Sequence, residues 1–223
     1  MIPLRDINPS HSFPVVNIGI ISLNIIIFIY QYIILPHKLS LYFLLSLSCI
    51  PYEITHMVDL SPANLLPPPF TILSSMFLHG GLIHLLSNML FLWIFGDNVE
   101  DRMGHIRYLI FYLLCGTGGA IVHIIFNANS QLPCIGASGA ISGVMGAYLF
   151  FFPMARIRTL IILFIFIQII DIPAFFMIGY WILIQFIFGI SEIGTKGGGI
   201  AWFAHIGGFV TGLFIAPSMR EPA

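Results

Sequence analysis

An all-α fold of membrane-crossing helices is predicted by three observations. The 223-residue chain is 58% apolar and only 8% charged, where a soluble domain carries about a quarter charged residues. Six stretches free of Asp, Glu, Lys and Arg reach or approach the roughly 20 residues that a helix rising 1.5 Å per residue needs to cross a bilayer. The few charges nearly cancel, with 8 Lys and Arg against 9 Asp and Glu, so no basic face exists for a nucleic acid. The expectation is a polytopic membrane protein with one bundle of six transmembrane helices. Residues 1–14 are expected as a cytoplasmic tail, 15–217 as the membrane domain and 218–223 as a second cytoplasmic tail.

The first span, Val15–Leu35, is too long for a removable leader and lacks a small-residue cleavage site, so it reads as an anchor. After it comes Leu39–Ile50, an apolar run of about twelve residues, which suits an interfacial or re-entrant segment better than a crossing. Ser61-Pro62 and Pro67-Pro68-Pro69 then interrupt any helix. The second to sixth spans are expected at Phe77–Phe95, Tyr108–Phe126, Ile135–Phe152, Ile172–Ile190 and Ile200–Ala216. A second short run, Thr159–Ile170, is again too brief to cross. Counting it as a seventh span would put the fourth and sixth spans in opposite senses.

Basic residues orient the bundle. With six spans and a cytoplasmic N-terminus, Arg5, Arg102, Arg107, Arg156, Arg158 and Arg220 fall inside, and only Lys38 and Lys196 outside. Both termini are therefore expected in the cytoplasm. Cys49, Cys115 and Cys134 lack C-x-x-C spacing, so neither a metal knuckle nor a redox pair is expected.

Polar side chains are costly inside a bilayer and are functional suspects for that reason. Asn17, Ser22, Asn24 and His123 have structural readings, as hydrogen-bonders between helices or at interfaces. An aspartyl protease would need G-x-G-D, but Ile94 occupies the place of its first glycine; a zinc protease would need H-E-x-x-H, which the chain lacks. Three other residues converge. Ser138, His205 and His84 lie at expected depths of roughly 5, 8 and 11 Å into the fourth, sixth and second spans, all three of which enter from the outer side.

Small residues would let two of these spans approach closely. Gly136, Gly139, Gly143 and Gly146 recur through the fourth span, and Gly208 and Gly212 follow His205 on its own helix face. Close packing could then bring the Ser138 hydroxyl within proton-transfer reach of the His205 imidazole. His84 and Asn88, four residues apart, share a face and offer uncharged donors suited to an oxyanion. His79 is off that face, and no metal or other cofactor is expected.

These strings together resemble the rhomboid family of intramembrane serine proteases. Gly136-Ala137-Ser138-Gly139 is similar to its G-x-S-G motif. Ala204-His205 through Gly208 and Gly212 is similar to its A-H-x-x-G-x-x-x-G motif, and His84 to Asn88 to its H-x-x-x-N. Phe95 to Gly104, with Glu100, resembles the turn after the second span. The resemblance implies a six-helix rhomboid-like bundle with Ser138 as nucleophile and His205 as general base. His84, Asn88 and the Ser138 N–H would form the oxyanion hole, and Glu100 would be a structural hydrogen-bonder. It also implies transmembrane protein substrates, the lipid bilayer as surroundings, no metal, and a setting in a prokaryotic plasma membrane.

Two departures are visible. Some rhomboids carry Tyr four residues after the serine, stacked on the histidine; here Ser142 stands there, leaving Trp202 or Phe203 to hold the ring. The Trp-Arg pair usual in the family's first loop is absent. Gates for substrate are expected in the Gly194–Gly199 loop and in the fifth span, weakened by Pro173 and Gly179. The rivals are an inactive relative acting as a binding module, and a small transporter. The latter needs polar groups through the full depth, whereas the inner halves of these spans are Leu, Ile and Phe.

Overall fold

The computed structural model describes residues 1–60, 63–163, 165–193 and 199–220. Residues 61–62 and most of the glycine-rich loop expected as a gate, 194–198, lie outside the described residues, as do 221–223. Among the described residues, five helices are long and apolar enough to cross a membrane. The first is α1, Val15–Ile29, extended to Ile34 by one π-helical turn. The others are α5 (Leu82–Met103), α6 (His105–Phe126), α8 (Ala174–Glu192) and α9 (Trp202–Met219). A sixth apolar helix, α7 (Ser138–Phe151), has only 14 residues and is enclosed by the others. The chain is an integral, multi-pass membrane protein of bundled helices.

The expected spans map onto these helices with shifted ends. Leu78–Gly81 is not helical within the second span: the chain turns through α4 (Thr71–Ser74) and a 3-10 turn at Ser75–Phe77 before α5 begins at Leu82. The apolar run at Leu39–Ile50 becomes α2, His37–Leu47, followed by the short α3, Pro51–His56. In α2, Ser40 and Ser46 are buried while Leu39 and Leu41 are exposed. That is the reverse of a water-facing helix and suits one bordered by lipid.

The bundle also carries a three-stranded antiparallel sheet in the order β1 (Ile2–Asp6), β2 (Arg156–Leu163), β3 (Phe166–Pro173). The run at Thr159–Ile170 is thus a hairpin, with Arg158 opposite Asp171 and joined to it by two hydrogen bonds of 2.9 and 3.2 Å. Its β-branched composition favours strand over helix. The first residues are docked rather than a free tail. Strand β1 pairs with β2, the Asn8 amide donates to Asn98 at 2.6 Å, and the Ser12 backbone and hydroxyl donate to Asp101.

Two elements fix α1 against α5. Glu100, fully buried, accepts the N–H groups of Val16 and Asn17 at 2.9 and 2.7 Å. It thereby satisfies two of the donors that open α1, where the helix dipole also favours a carboxylate. Asn17 reaches across helices, donating to the Leu92 carbonyl and accepting from the Tyr108 hydroxyl. Asn24 instead donates within its own helix to Ile20, and Ser22 is exposed.

Helix α9 is the pivot of the core. A Cβ on Gly208 would fall on the Gly139 carbonyl, and one on Gly212 on the Gly143 carbonyl, so α7 and α9 touch backbone to backbone. Helix α6 approaches α9 as closely and at the same carbonyl: a Cβ on Gly119 would lie 2.5 Å from the Ala204 oxygen, and one on Gly139 3.5 Å from it.

Candidate active site

Ser138, His84 and His205 all lie in the first turn of their helices, α7, α5 and α9, which start at one end of the bundle. The glycine contacts between α7 and α9 set the distance: Ser138 Oγ is 2.8 Å from His205 Nε2. Both residues are half-buried.

The other ring nitrogen has a partner that the sequence reading missed. His205 Nδ1 is 2.7 Å from Gln185 Oε1, on α8, and Gln185 Nε2 donates to the Trp181 carbonyl at 3.2 Å. The carbonyl of Trp181 can only accept, so it assigns the NH2 end of the amide to itself and leaves Oε1 facing His205. Nδ1 must then carry the proton, and Nε2 is left with the lone pair that accepts from the Ser138 hydroxyl. The signal was present, since Gln185 is an amide within an otherwise apolar membrane helix.

The question raised by Ser142 has the same answer. Ser142 is buried and donates to the Ser138 carbonyl at 2.6 Å, within its own helix. Trp181 lies 5.9 Å from the His205 ring centre, and Trp202 lies edge-on at 6.4 Å. Phe203 stacks instead on Phe126, at 4.2 Å.

Gly136 has φ of +119°, a region that glycine enters freely, and a Cβ there would meet His84 Nε2 at 2.7 Å. The missing side chain lets the His84 ring lie against the turn that leads into Ser138. Asn88, one helical turn on, is buried, and its Nδ2 has no partner among the described residues. As the opening residue of α7, Ser138 offers an N–H with no acceptor inside the helix.

A cavity of about 820 Å³ lies over this end of the bundle, walled by His84, His123, Asn127, Ile135, Glu192 and Trp202. His84, Ile135 and Trp202 line it, whereas Ser138 and His205 are not among its lining residues. His123 is therefore a cavity residue, not only an interfacial one. His79 is buried, and among the described residues neither of its ring nitrogens has a hydrogen-bond partner; its ring lies edge-to-face with His84 at 5.0 Å. Among the described residues, no three His, Cys, Asp or Glu side chains are grouped to hold a metal ion.

Fold and geometry define a helical membrane protein with a serine and a histidine joined below a cavity at one end. Residues 68–221 match the Rhomboid domain family, and the chain belongs to that family. It is 35% identical over 154 residues to "Rhomboid protease GluP" of Bacillus subtilis (strain 168), covering 68% of this chain and 26% of that one. It is 34% identical over 144 residues to "RHOMBOID-like protein 6, mitochondrial" of Arabidopsis thaliana, covering 63% and 40%. Against "RHOMBOID-like protein 2" of the same plant the identity is 45% over 73 residues, covering 33% and 22%. The matched region spans two-fifths or less of the length of each of these relatives.

Proposed function

We propose that this chain is an intramembrane serine protease that hydrolyses peptide bonds in or near the transmembrane segments of other membrane proteins. The observation that carries the proposal is the 2.8 Å contact between Ser138 Oγ and the unprotonated Nε2 of His205. In the proposed reaction Nε2 takes the hydroxyl proton as Oγ bonds to the substrate carbonyl carbon. The resulting oxyanion accepts from the Ser138 N–H, the Asn88 amide and His84, and each such donor is worth ~2.7–4 kcal/mol of transition-state stabilisation. The imidazolium then gives its proton to the leaving amine as the C–N bond breaks. Water, deprotonated by the same Nε2, cleaves the acyl ester and restores Ser138.

The proposed topology has six crossings with both termini cytoplasmic, and the arginines at the sheet end support it. It puts the cavity on the outer side, where water can enter. The domain limits are those of a membrane domain at 15–217, to which strand β1 is attached. GluP, a bacterial relative named as a rhomboid protease, supports the activity; a prokaryotic plasma membrane is the setting we propose, and the relatives include a mitochondrial protein as well.

The test is active-site labelling. A fluorophosphonate should modify the full chain at Ser138, and S138A should abolish both labelling and cleavage of a single-span reporter while leaving membrane insertion unchanged. Cleavage by S138A at the wild-type rate would remove Ser138 as nucleophile.

A further inference from the structure

Histidine general bases need something to hold the ring and fix its tautomer, and in a Ser-His-Asp triad the carboxylate does so. In this molecule the corresponding nitrogen meets a neutral amide from a different helix. Gln185 is only 4% exposed, in the middle of an apolar membrane helix, where an unpaired amide would be costly. Both its ends are used, one on the Trp181 carbonyl and one on His205. The hydrogen bonds therefore run in one sense from α7 to α8: Ser138 hydroxyl to His205 Nε2, His205 Nδ1–H to Gln185, Gln185 NH2 to Trp181.

The seating of α8 is equally specific. Its buried positions, Ala174, Met177, Ile178, Gln185 and Gly189, fall on one helical face. One turn beyond Gln185, a Cβ on Gly189 would lie 3.3 Å from Trp202 Cβ and from Ile206 Cδ1, tighter than ordinary contact. Glycine at that position lets α8 sit close enough to α9 for the Gln185 side chain to reach His205.

We propose that Gln185 is the positioning residue of the Ser138–His205 dyad, and that the dyad is competent only while α8 is seated against α9. The inference rests on the protease reading above and adds a coupling between that helix and the catalytic base. Movement of α8 at Gln185 would free the ring to adopt the other tautomer, whose Nε2–H cannot accept the serine proton. A substrate must therefore be admitted without displacing the part of α8 that carries Gln185, or the base is disarmed until the helix returns.

The test uses the full chain in liposomes, with fluorophosphonate labelling of Ser138 and cleavage of a single-span reporter as readouts. The titratable neighbours acting on His205 are His84 from α5 and His123 from α6, and Glu192 lines the cavity beside them. Q185L should lower the labelling rate and kcat about 10- to 100-fold, with KM unchanged. Q185E places a carboxylate against Nδ1 and stabilises the imidazolium. It should restore labelling at alkaline pH and move the acid limb of the pH–rate profile upward by about one unit or more. Gly189→Val, which wedges α8 from α9 without touching Gln185, should also slow labelling. A folded Q185L that labels at the wild-type rate would overturn the proposal, as would a Q185E profile with an unmoved acid limb. Should Q185L fail to fold, the Q185E profile decides alone. Wild-type protein that S138A does not distinguish would sink the protease reading instead, whatever Gln185 does.

Discussion

Gly119 offers a test of how closely the helices must fit, at a residue that takes no part in the proposed chemistry. A Cβ there would stand 2.5 Å from the backbone carbonyl oxygen of Ala204. Ordinary contact begins near 3.4 Å, and the neighbouring atom is backbone, so no side chain can turn aside. Gly119→Ala must therefore part α6 from α9 locally by about 0.9 Å, at an overpacking cost of about 1–3 kcal/mol. Ala204 precedes His205, so the displacement acts on the base itself. A shift of about 0.9 Å in the backbone just before His205 is enough to spoil its 2.8 Å contact with Ser138, whichever way the ring is carried, because a hydrogen bond tolerates little change of length or angle. A 1 Å misplacement of this kind costs on the order of 100-fold in rate. The assay is reporter cleavage in liposomes, with thermal stability measured alongside. We expect kcat to fall by about that factor with KM little changed, and Tm to fall with it. Gly19→Ala is the control: nothing lies within 4 Å of its Cβ position, and it should leave kcat unchanged. Wild-type turnover in Gly119→Ala would show that the α6–α9 spacing does not set the dyad.

Two further predictions concern the opposite end of the molecule. Glu100→Ala removes the acceptor for Val16 and Asn17 and should destabilise the protein by about 2–4 kcal/mol. Denaturant titration in detergent would read this, with substrate KM unaffected. Asp6 is raised from its ordinary value to about 6, chiefly by burial and further by the Asp97 carboxylate, while its hydrogen bond from Tyr148 opposes the shift. A group raised in the folded state adds stability below its unfolded value near 4, and that contribution is lost as pH rises through 6. Strand β1 should therefore be better protected from amide hydrogen exchange at pH 5 than at pH 8, after correction for intrinsic rates. Because Asp6 is partly exposed, solvent screening makes the effect smaller than the full shift implies. Asp6→Asn should abolish the difference.

The helices were legible because their signal is compositional: twenty apolar residues without a charge admit few other readings. The contact between Ser138 and His205 was legible because glycines marked the faces that approach, so the two residues could be placed opposite each other without knowing the crossing. The sheet was harder. The length of Thr159–Ile170 excludes a crossing but does not separate a short helix from a strand. Its β-branched residues, and an Arg158 and Asp171 symmetric about the turn, were the better guide. Strand β1 could not be read because its partner lies more than 150 residues away, and register between distant strands has no local signature. Gln185 passed unnoticed, although Asn17, Asn24 and Asn88 were weighed, because it belongs to none of the motifs. In hydrocarbon, an amide demands partners just as a charge does.

The length of α7 has a consequence for the reaction. Fourteen residues span about 21 Å, less than the ~30 Å of a bilayer's hydrocarbon core. A central helix that short does not match the full thickness, and a well lined by His84 and Trp202 lies at the end of the bundle where it begins. The well's 820 Å³ holds on the order of twenty or more solvent molecules. On the proposed function, hydrolysis would need no channel through the membrane, because the well at the α7 end would admit water from one side alone.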